Sequence, residues 1–533
     1  MEASPHFDGQ DWKIVALGSE QPGTAPVVLS SDQRGTVVLS SEREKIVKMG
    51  KRKRNTQATA PQKAQKASDL PTPNDSDEGP LENVSHISAV TSTEELELTV
   101  DTLRTLSQYP GLIKSKACKD LRAAVYDFRQ ACNTGVNSAS EGTNLTARIS
   151  AALTDSKYTD ALILLAEMRI RGETPKLGAL CRWVRDLDVV SGLSMQPEGV
   201  SKVVVPRSQK DRELLRVLDA VLRVTGPTDT NTNDALDSAD PIALQQVWNL
   251  RGDKTPIQTR QSVVDKSIFA NCPEGLRDRF RIIETTTGPN RKPPNLHPAV
   301  LYASQDDAIP LGDAPKTTVF KHPVVPNLRL IKDVLTPAEC TSIIAAAETI
   351  EFIPDAPIRD DGQETSILAH NFYWIADQAF HDKLWERVRP YVPEESQGRE
   401  VRGINRRFRV YRYVPGAEYR CHIDGAWPPS GIDPVTDKYQ YDSSPADARQ
   451  SSLYTFLIYL NDEFEGGETS FFIPSVREGV MNAYPVKPIM GSVAVFPHGE
   501  AQGALLHEGT GVTKGAKYII RTDVEYDVVA SAN

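Results

Sequence analysis

Three observations predict an α+β protein whose helices precede its strands. Residues 1–92 are rich in Ser, Thr, Pro, Gln and Asp and show scarcely any apolar period. Residues 93–285 repeat apolar side chains at intervals of three and four, the mark of one helix face. Residues 328–530 contain strand-like runs such as Arg407-Phe-Arg-Val-Tyr-Arg-Tyr413, interrupted by turn residues.

Composition bounds the reading. At 533 residues there is room for two or three domains. A hydrophobic content of 39% is low for a single packed globule and fits a folded part joined to disordered segments. The net charge of −10 gives no overall basic excess of the kind that announces nucleic-acid binding. The six cysteines (118, 132, 181, 272, 340 and 421) are scattered without a C-x-x-C, as reduced thiols of the cytosol or nucleus are. The N-terminus has neither the basic start nor the apolar stretch of a secretory signal. No apolar run is long enough to span a bilayer. The expectation is a soluble intracellular chain with no membrane partner. Oligomeric state is left open.

Residues 1–92 cannot bury enough surface to offset their ordering entropy and read as a disordered tail. Within it Lys51-Arg-Lys-Arg54, preceded by Lys45 and Lys48, reads either as a nuclear-import or nucleic-acid patch or as a solvated charge run. Helices are expected over Leu96–Leu106 and Leu121–Cys132. A helical hairpin follows, Tyr158–Ile170 with Leu177–Val190. One stripe is Tyr158, Ala161, Leu162, Leu165 and Met168, and the other is Leu177, Leu180, Cys181, Val184 and Leu187. The phrase Asp160-Ala-Leu-x-x-Leu-x-Glu-Met-x-x-x-Gly-x-x-Pro175 resembles a pentatricopeptide unit, which implies RNA binding. A single copy falls short of the stacked array such units need, so an ordinary hairpin in a small bundle is the preferred reading. Arg207–Val224 adds a helix, Thr225–Asp240 a loop, and Trp248 with Arg277–Arg281 closes the region.

Residues 286–327 are proline-dense and read as a linker or extended wrap. A strand at Leu328–Ile331 then leads into a helix opened by a capping box, with Thr336 as N-cap, Pro337 at N1 and Glu339 at N3. Phe380–Val388 is expected as a second helix.

The densest chemistry lies between Asn405 and Asp527. His422 and Asp424 are two apart in a strand-like run, so their side chains leave one face. His507 and Lys517 follow. Two imidazoles and one carboxylate on one side of a metal make the facial triad of non-haem Fe(II) oxygenases. With Tyr413-Val-Pro-Gly-x-x-Tyr-x-x-His422, Leu457-Ile-Tyr-Leu-Asn-Asp462, Glu465-Gly-Gly-Glu-Thr469 and Gly515-x-Lys517-Tyr518, residues 328–530 resemble the Fe(II)/2-oxoglutarate dioxygenases, in particular the prolyl 4-hydroxylase-like branch. The resemblance implies a double-stranded β-helix (jelly-roll) domain, with helices buttressing the outside of its sheet. It also implies hydroxylation of a substrate C–H as 2-oxoglutarate and O2 become succinate and CO2, with ascorbate maintaining the iron.

On that resemblance His422, Asp424 and His507 hold Fe(II). His498 is the rival third ligand, and an exposed loop histidine is the preferred reading of it. Lys517 anchors the distal carboxylate of 2-oxoglutarate, with Arg521 as the alternative. At about 3.3 Å per residue these two lie roughly 13 Å apart on one face, so they cannot share one carboxylate. Tyr413 is expected to hydrogen-bond that carboxylate, with Tyr411 in reserve. In the loop 427–449, Trp427 and the pair Tyr439 and Tyr441 are candidate substrate contacts. Three functions stay open: hydroxylation of a protein side chain, proline first; oxidation of nucleic acid, approached through Lys51–Arg54 and the helical region; or a catalytically dead oxygenase fold that binds.

Overall fold

A computed structural model describes residues 91–134, 144–195, 207–230, 239–252, 257–287, 298–354, 369–499 and 501–528. The expected disordered tail, with Lys51–Arg54, lies almost wholly outside the described residues. The chain divides into two compact units, residues 1–97 and 98–533, and the description below concerns the second. Among the described residues no helix is long and apolar enough to cross a membrane.

The helical signals translate directly. Helices run over Lys119–Thr134, Leu145–Thr154, Tyr158–Arg171, Leu177–Leu187 and Gln209–Thr225. Ala161, Leu165 and Met168 are buried as the apolar period requires, facing Leu180, Val184 and Leu187. Gly172 takes the left-handed conformation that ends the first hairpin helix, at φ 66°. The second hairpin helix stops three residues short of the expected Val190. Asp188 turns left-handed there (φ 42°) and Val189 is delivered into an extended run. The periodic pattern continues through Val189 because that residue is also buried, but against a sheet edge instead of a helix.

The strands form two principal sheets. A five-stranded sheet has the order Ile242–Leu244, Met481–Val486, Thr469–Pro474, Leu506–Gly509, Tyr419–His422. The backbone of a twelve-stranded sheet runs Phe280–Thr286, Ala299–Ser304, His370–Ile375, Arg407–Tyr413, Lys517–Asp527, Gln450–Tyr459, Val493–Pro497, Arg329–Lys332, Thr318–Lys321. The expected linker therefore contributes two sheet strands, Ala299–Ser304 and Thr318–Lys321, and the expected helical region contributes Ile242–Leu244 and Phe280–Thr286. Pro310 and Pro315 fall between the two strands of the expected linker, and Pro323 and Pro326 follow the second, leaving the extended backbone around them free to pair.

Alternation along each strand fixes the layers. In Arg407–Tyr413, Phe408 and Val410 face the helices Pro337–Ile350 and Gln378–Val388, whose Ile343, Ile344, Phe380 and Leu384 fill that side. Tyr411 and Tyr413 point the other way, toward Phe471, Ile473, Tyr484 and Val486 of the smaller sheet. The far face of the smaller sheet, with Phe472, Met481, Ala483 and Leu506, packs on the helical bundle. The helix at Pro337 carries the expected capping box: Thr336 Oγ1 accepts from Glu339 N at 3.2 Å, and Thr336 N donates to Glu339 Oε2 at 2.8 Å. Glu339 is also held bidentately by Arg387, at 2.9 and 2.8 Å, and both side chains are buried.

Candidate active site

Backbone pairing assembles the site. The strand Tyr419–His422 runs antiparallel to Leu506–Gly509, and the register sets His422 opposite His507. Their ring centroids are 4.2 Å apart. Asp424 lies between them, with Oδ1 3.4 Å from His422 Nε2 and Oδ2 3.6 Å from His507 Nε2. One donor atom from each of the three lies within 4.8 Å of the others, and these residues form a group able to hold a metal ion.

The surroundings prepare each donor. His422 Nδ1 pairs with the Arg420 carbonyl at 2.7 Å, and His507 Nδ1 with the Leu505 carbonyl at 3.1 Å. A carbonyl can only accept, so each Nδ1 carries the proton and each Nε2 presents its lone pair to the centre. Burial, with His422 close by, pushes the pKa of His507 down to about 3, which keeps it neutral as a metal ligand must be. Burial would raise the Asp424 carboxyl, but the Arg521 guanidinium outweighs it and holds it well below the usual carboxylate range. Thr455 Oγ1 donates to Asp424 Oδ2 at 2.7 Å, and Arg521 Nη1 sits 3.3 Å from Oδ1. Two neutral imidazoles and one fixed carboxylate suit a divalent iron that keeps positions open.

The second half of the site is the strand Lys517–Asp527. Its ladder pairs Lys517 with Tyr413 and Ile519 with Tyr411. Lys517 is 3% exposed. Its Nζ donates to the Gly467 carbonyl at 2.7 Å and lies over the rings of Tyr413 and Tyr459 at 5.6 and 5.9 Å. Burial pushes its pKa down to about 8, with Glu468 pulling the other way. Arg521 serves different partners, Asp424 and the Asp523 carboxylate at 3.4 Å. One cavity is lined by His422, Asp424, His507, Lys517, Tyr413 and Tyr411, with Arg521 at its wall.

Residues 408–522 match the sequence profile of the 2OG-Fe(II) oxygenase superfamily. This stretch is a 2OG-Fe(II) oxygenase domain. A probable prolyl 4-hydroxylase 9 of Arabidopsis thaliana is 31% identical over 123 residues, which is 21% of this chain; the chain spans 38% of that relative's length. Among solved structures, the viral collagen prolyl hydroxylase of Paramecium Bursaria Chlorella virus-1 is 21% identical with a TM-score of 0.25, over 38% of this chain and 97% of the viral one. A Pseudomonas putida prolyl-4-hydroxylase is 17% identical with a TM-score of 0.24, over 37% and 91%. A Trichoplax adhaerens prolyl hydroxylase, solved with a peptide fragment of a hypoxia inducible factor oxygen degradation domain, is 15% identical with a TM-score of 0.26, over 37% and 83%.

Two expectations about the oxygenase domain change on seeing its side chains. His498 is neither a member of the triad nor an exposed loop residue; it is 1% exposed. Its Nε2 pairs with Ser452 Oγ at 2.9 Å and its Nδ1 with Thr455 Oγ1 at 2.6 Å, directly behind Asp424. The Thr455 proton goes to Asp424, so His498 Nδ1 donates to Thr455 and Nε2 accepts from Ser452. Trp427 and Tyr441 do not line the cavity. They pack edge to face at 5.1 Å, Trp427 covers the Arg407 guanidinium at 4.4 Å, and the Tyr439 hydroxyl bonds Ser430 Oγ at 3.2 Å. Sequence reasoning missed Thr455, Thr469 and Tyr419, all of which line the cavity. Strand alternation could have found Thr455, since it shares a face with Leu457 and Tyr459; Tyr419 stands in the run Tyr413-Val-Pro-Gly-x-x-Tyr-x-x-His422 but is given no role there, and its ring lies 3.9 Å from that of His422.

Proposed function

We propose that this chain is an Fe(II)/2-oxoglutarate-dependent dioxygenase of the prolyl 4-hydroxylase-like kind. The observation that carries the reading is the joint lining of one cavity by the triad His422, Asp424 and His507 and by the buried cation Lys517. His422, Asp424 and His507 would hold the iron. Lys517 would hold the distal carboxylate of 2-oxoglutarate by a charge-assisted bond in a dry pocket, where such bonds are strongest. Tyr413, opposite Lys517 in the ladder, would flank that carboxylate, with Tyr411 stacked on its ring at 5.6 Å. When bound, the iron supplies oxygen activation coupled to decarboxylation of 2-oxoglutarate to succinate. The protein's part is positional. Thr455 and Arg521 fix the rotamer of Asp424, the two carbonyl-bound imidazoles aim their Nε2 atoms, and Phe496, Leu457 and Ile519 exclude water. The two facing sheets support a double-stranded β-helix as the scaffold.

The substrate proposed is a protein side chain, proline first, by likeness to the prolyl hydroxylases named above. Ascorbate is proposed as the reductant that keeps the iron ferrous. Nuclear residence rests on Lys51–Arg54, and alanine at all four positions should shift a fluorescent fusion to the cytoplasm. The central test is succinate formation by purified protein with Fe(II), O2 and 2-oxoglutarate, with and without candidate peptides. Asp424→Asn should abolish it and weaken Fe(II) uptake while leaving the far-ultraviolet circular dichroism spectrum unchanged. Wild-type protein that takes up no Fe(II) and forms no succinate would instead be a binding protein on an oxygenase fold.

A further inference from the structure

The strand carrying His422 is the last strand of the five-stranded sheet, yet its outer edge is covered. The segment that follows the helix Leu177–Leu187 lies along it. Cys421 N donates to the Val189 carbonyl at 3.1 Å, and Arg420 Nη1 to the Asp188 carbonyl at 2.9 Å. Two residues further on, Ser191 reaches the neighbouring strand. Its backbone N–H donates to Glu508 Oε2 at 3.0 Å and its hydroxyl bonds Glu508 Oε1. The Cys421 thiol completes the set, with Sγ 3.4 Å from Glu508 Oε2. Ser191, Cys421 and Glu508 are 1%, 4% and 3% exposed. Just past Glu508, a Cβ on Gly511 would come within 2.8 Å of the Ser194 Cβ, so glycine is what lets the segment approach so closely.

Cys421 immediately precedes His422, and Glu508 immediately follows His507. Because strand residues alternate, the side chains of Cys421 and Glu508 emerge on the side opposite the two imidazoles. One carboxylate thus ties both metal-binding strands to each other and to the helical region. Ile423 and Leu506, flanking the same imidazoles, pack on the bundle as well.

We infer that the Ser191–Glu508–Cys421 clip is a positioning device through which the helical region sets the spacing of His422 and His507. This rests on the proposed metal centre. Ser191 and Glu508 are positioning residues: they act on the metal through the backbones of its ligands. The helical region is then part of the oxygenase machinery, holding it from behind.

The test is Co(II) binding by the whole chain, read by visible absorption and by competition with a chromophoric chelator, so that turnover does not enter. Ser191→Ala and Glu508→Ala should loosen Co(II) by about tenfold or more and shift its absorption bands, as loss of groups that orient metal ligands does. Glu508→Gln, which keeps one accepting oxygen, should fall between them and wild type. Leu165→Ala, buried in the bundle and making none of the clip's hydrogen bonds, should lower the melting temperature yet leave Co(II) affinity within about twofold. Wild-type affinity and spectra in all the clip variants overturn the inference. So does equal loosening by Leu165→Ala, which would mark general destabilisation. If Glu508→Ala does not fold, Ser191→Ala decides by the same criteria, since it keeps the backbone donor. Wild-type protein that binds no Co(II) overturns the metal centre, and the clip with it.

Discussion

Lys517→Met separates a binding lysine from a structural one. The free protein carries this ammonium almost fully buried, and its pKa falls from the ordinary 10.5 to about 8. At 1.36 kcal/mol per pKa unit, holding the charge there costs the folded state about 3 kcal/mol at neutral pH. The sign follows from the direction of the shift. The folded pKa is depressed, so the penalty is full below pH 8 and fades as pH rises toward 10.5. A carboxylate seated against Lys517 offsets that cost, whereas methionine fills the space and offers no charge. The substitution should therefore weaken 2-oxoglutarate by about two powers of ten, the equivalent of about 3 kcal/mol. The unfolding midpoint of the free protein should stay level or rise. Titration calorimetry with Zn(II)-loaded protein and thermal melts of the free protein read the two effects. In wild type, 2-oxoglutarate affinity should also decline above pH 8, by up to about tenfold per pH unit. A Lys517→Met protein that binds 2-oxoglutarate within about fivefold of wild type refutes the anchor. A lowered melting temperature with unchanged cosubstrate affinity would make the lysine a structural donor to the Gly467 carbonyl.

Arg521→Met should leave 2-oxoglutarate affinity within a few-fold. It should cost about 3–5 kcal/mol of stability in urea melts, because Asp424 and Asp523 lose the guanidinium 3.3 and 3.4 Å away; loss of cosubstrate binding alone would transfer the anchor to Arg521. Arg387→Leu should destabilise by a similar 3–5 kcal/mol, since it strands the buried Glu339 carboxylate beside its own capping bond. Burial raises the Glu339 carboxyl, but Arg387 and the Thr336 and Gly312 amides together hold it below 4.5, so its contribution is present above pH 4.5 and lost as pH falls through the lowered value. An acid titration of stability in Arg387→Leu should accordingly be shallower than in wild type, and an equal slope would show that the pair is not linked to protons.

Local signals were legible and non-local ones were not. The capping box at Thr336, the helical stripe around Leu165 and the strand alternation of Arg407–Tyr413 depend on neighbours within a turn or two, and each reappears in the structure. The grouping of His422, Asp424 and His507 was legible because Asp424 follows two residues after the strand end at His422 and His507 sits in a recognisable closing pattern. Ile242–Leu244 was not, since three residues paired parallel to Met481–Ala483 leave no period to detect. Nor was the cover that Val189 gives Cys421, a single backbone bond that favours no side chain at either position. His498 reads as a loop residue because Phe-Pro-His-Gly looks like a turn, and only the hydroxyls of Ser452 and Thr455 explain its burial.

The strand Lys517–Asp527 comes after every other strand of the large sheet in sequence, yet lies near its middle, between Arg407–Tyr413 and Gln450–Tyr459. The sheet is therefore two wings awaiting a keystone. Until residues 517–527 emerge during synthesis, each wing exposes an unpaired inner edge, the kind of edge that invites association with other chains. The same late arrival delivers Lys517 to the cavity. A nascent or truncated chain could thus set His422, Asp424 and His507 side by side without the buried cation of the cavity. Completion of the sheet and completion of the pocket become a single event in the life of the polypeptide.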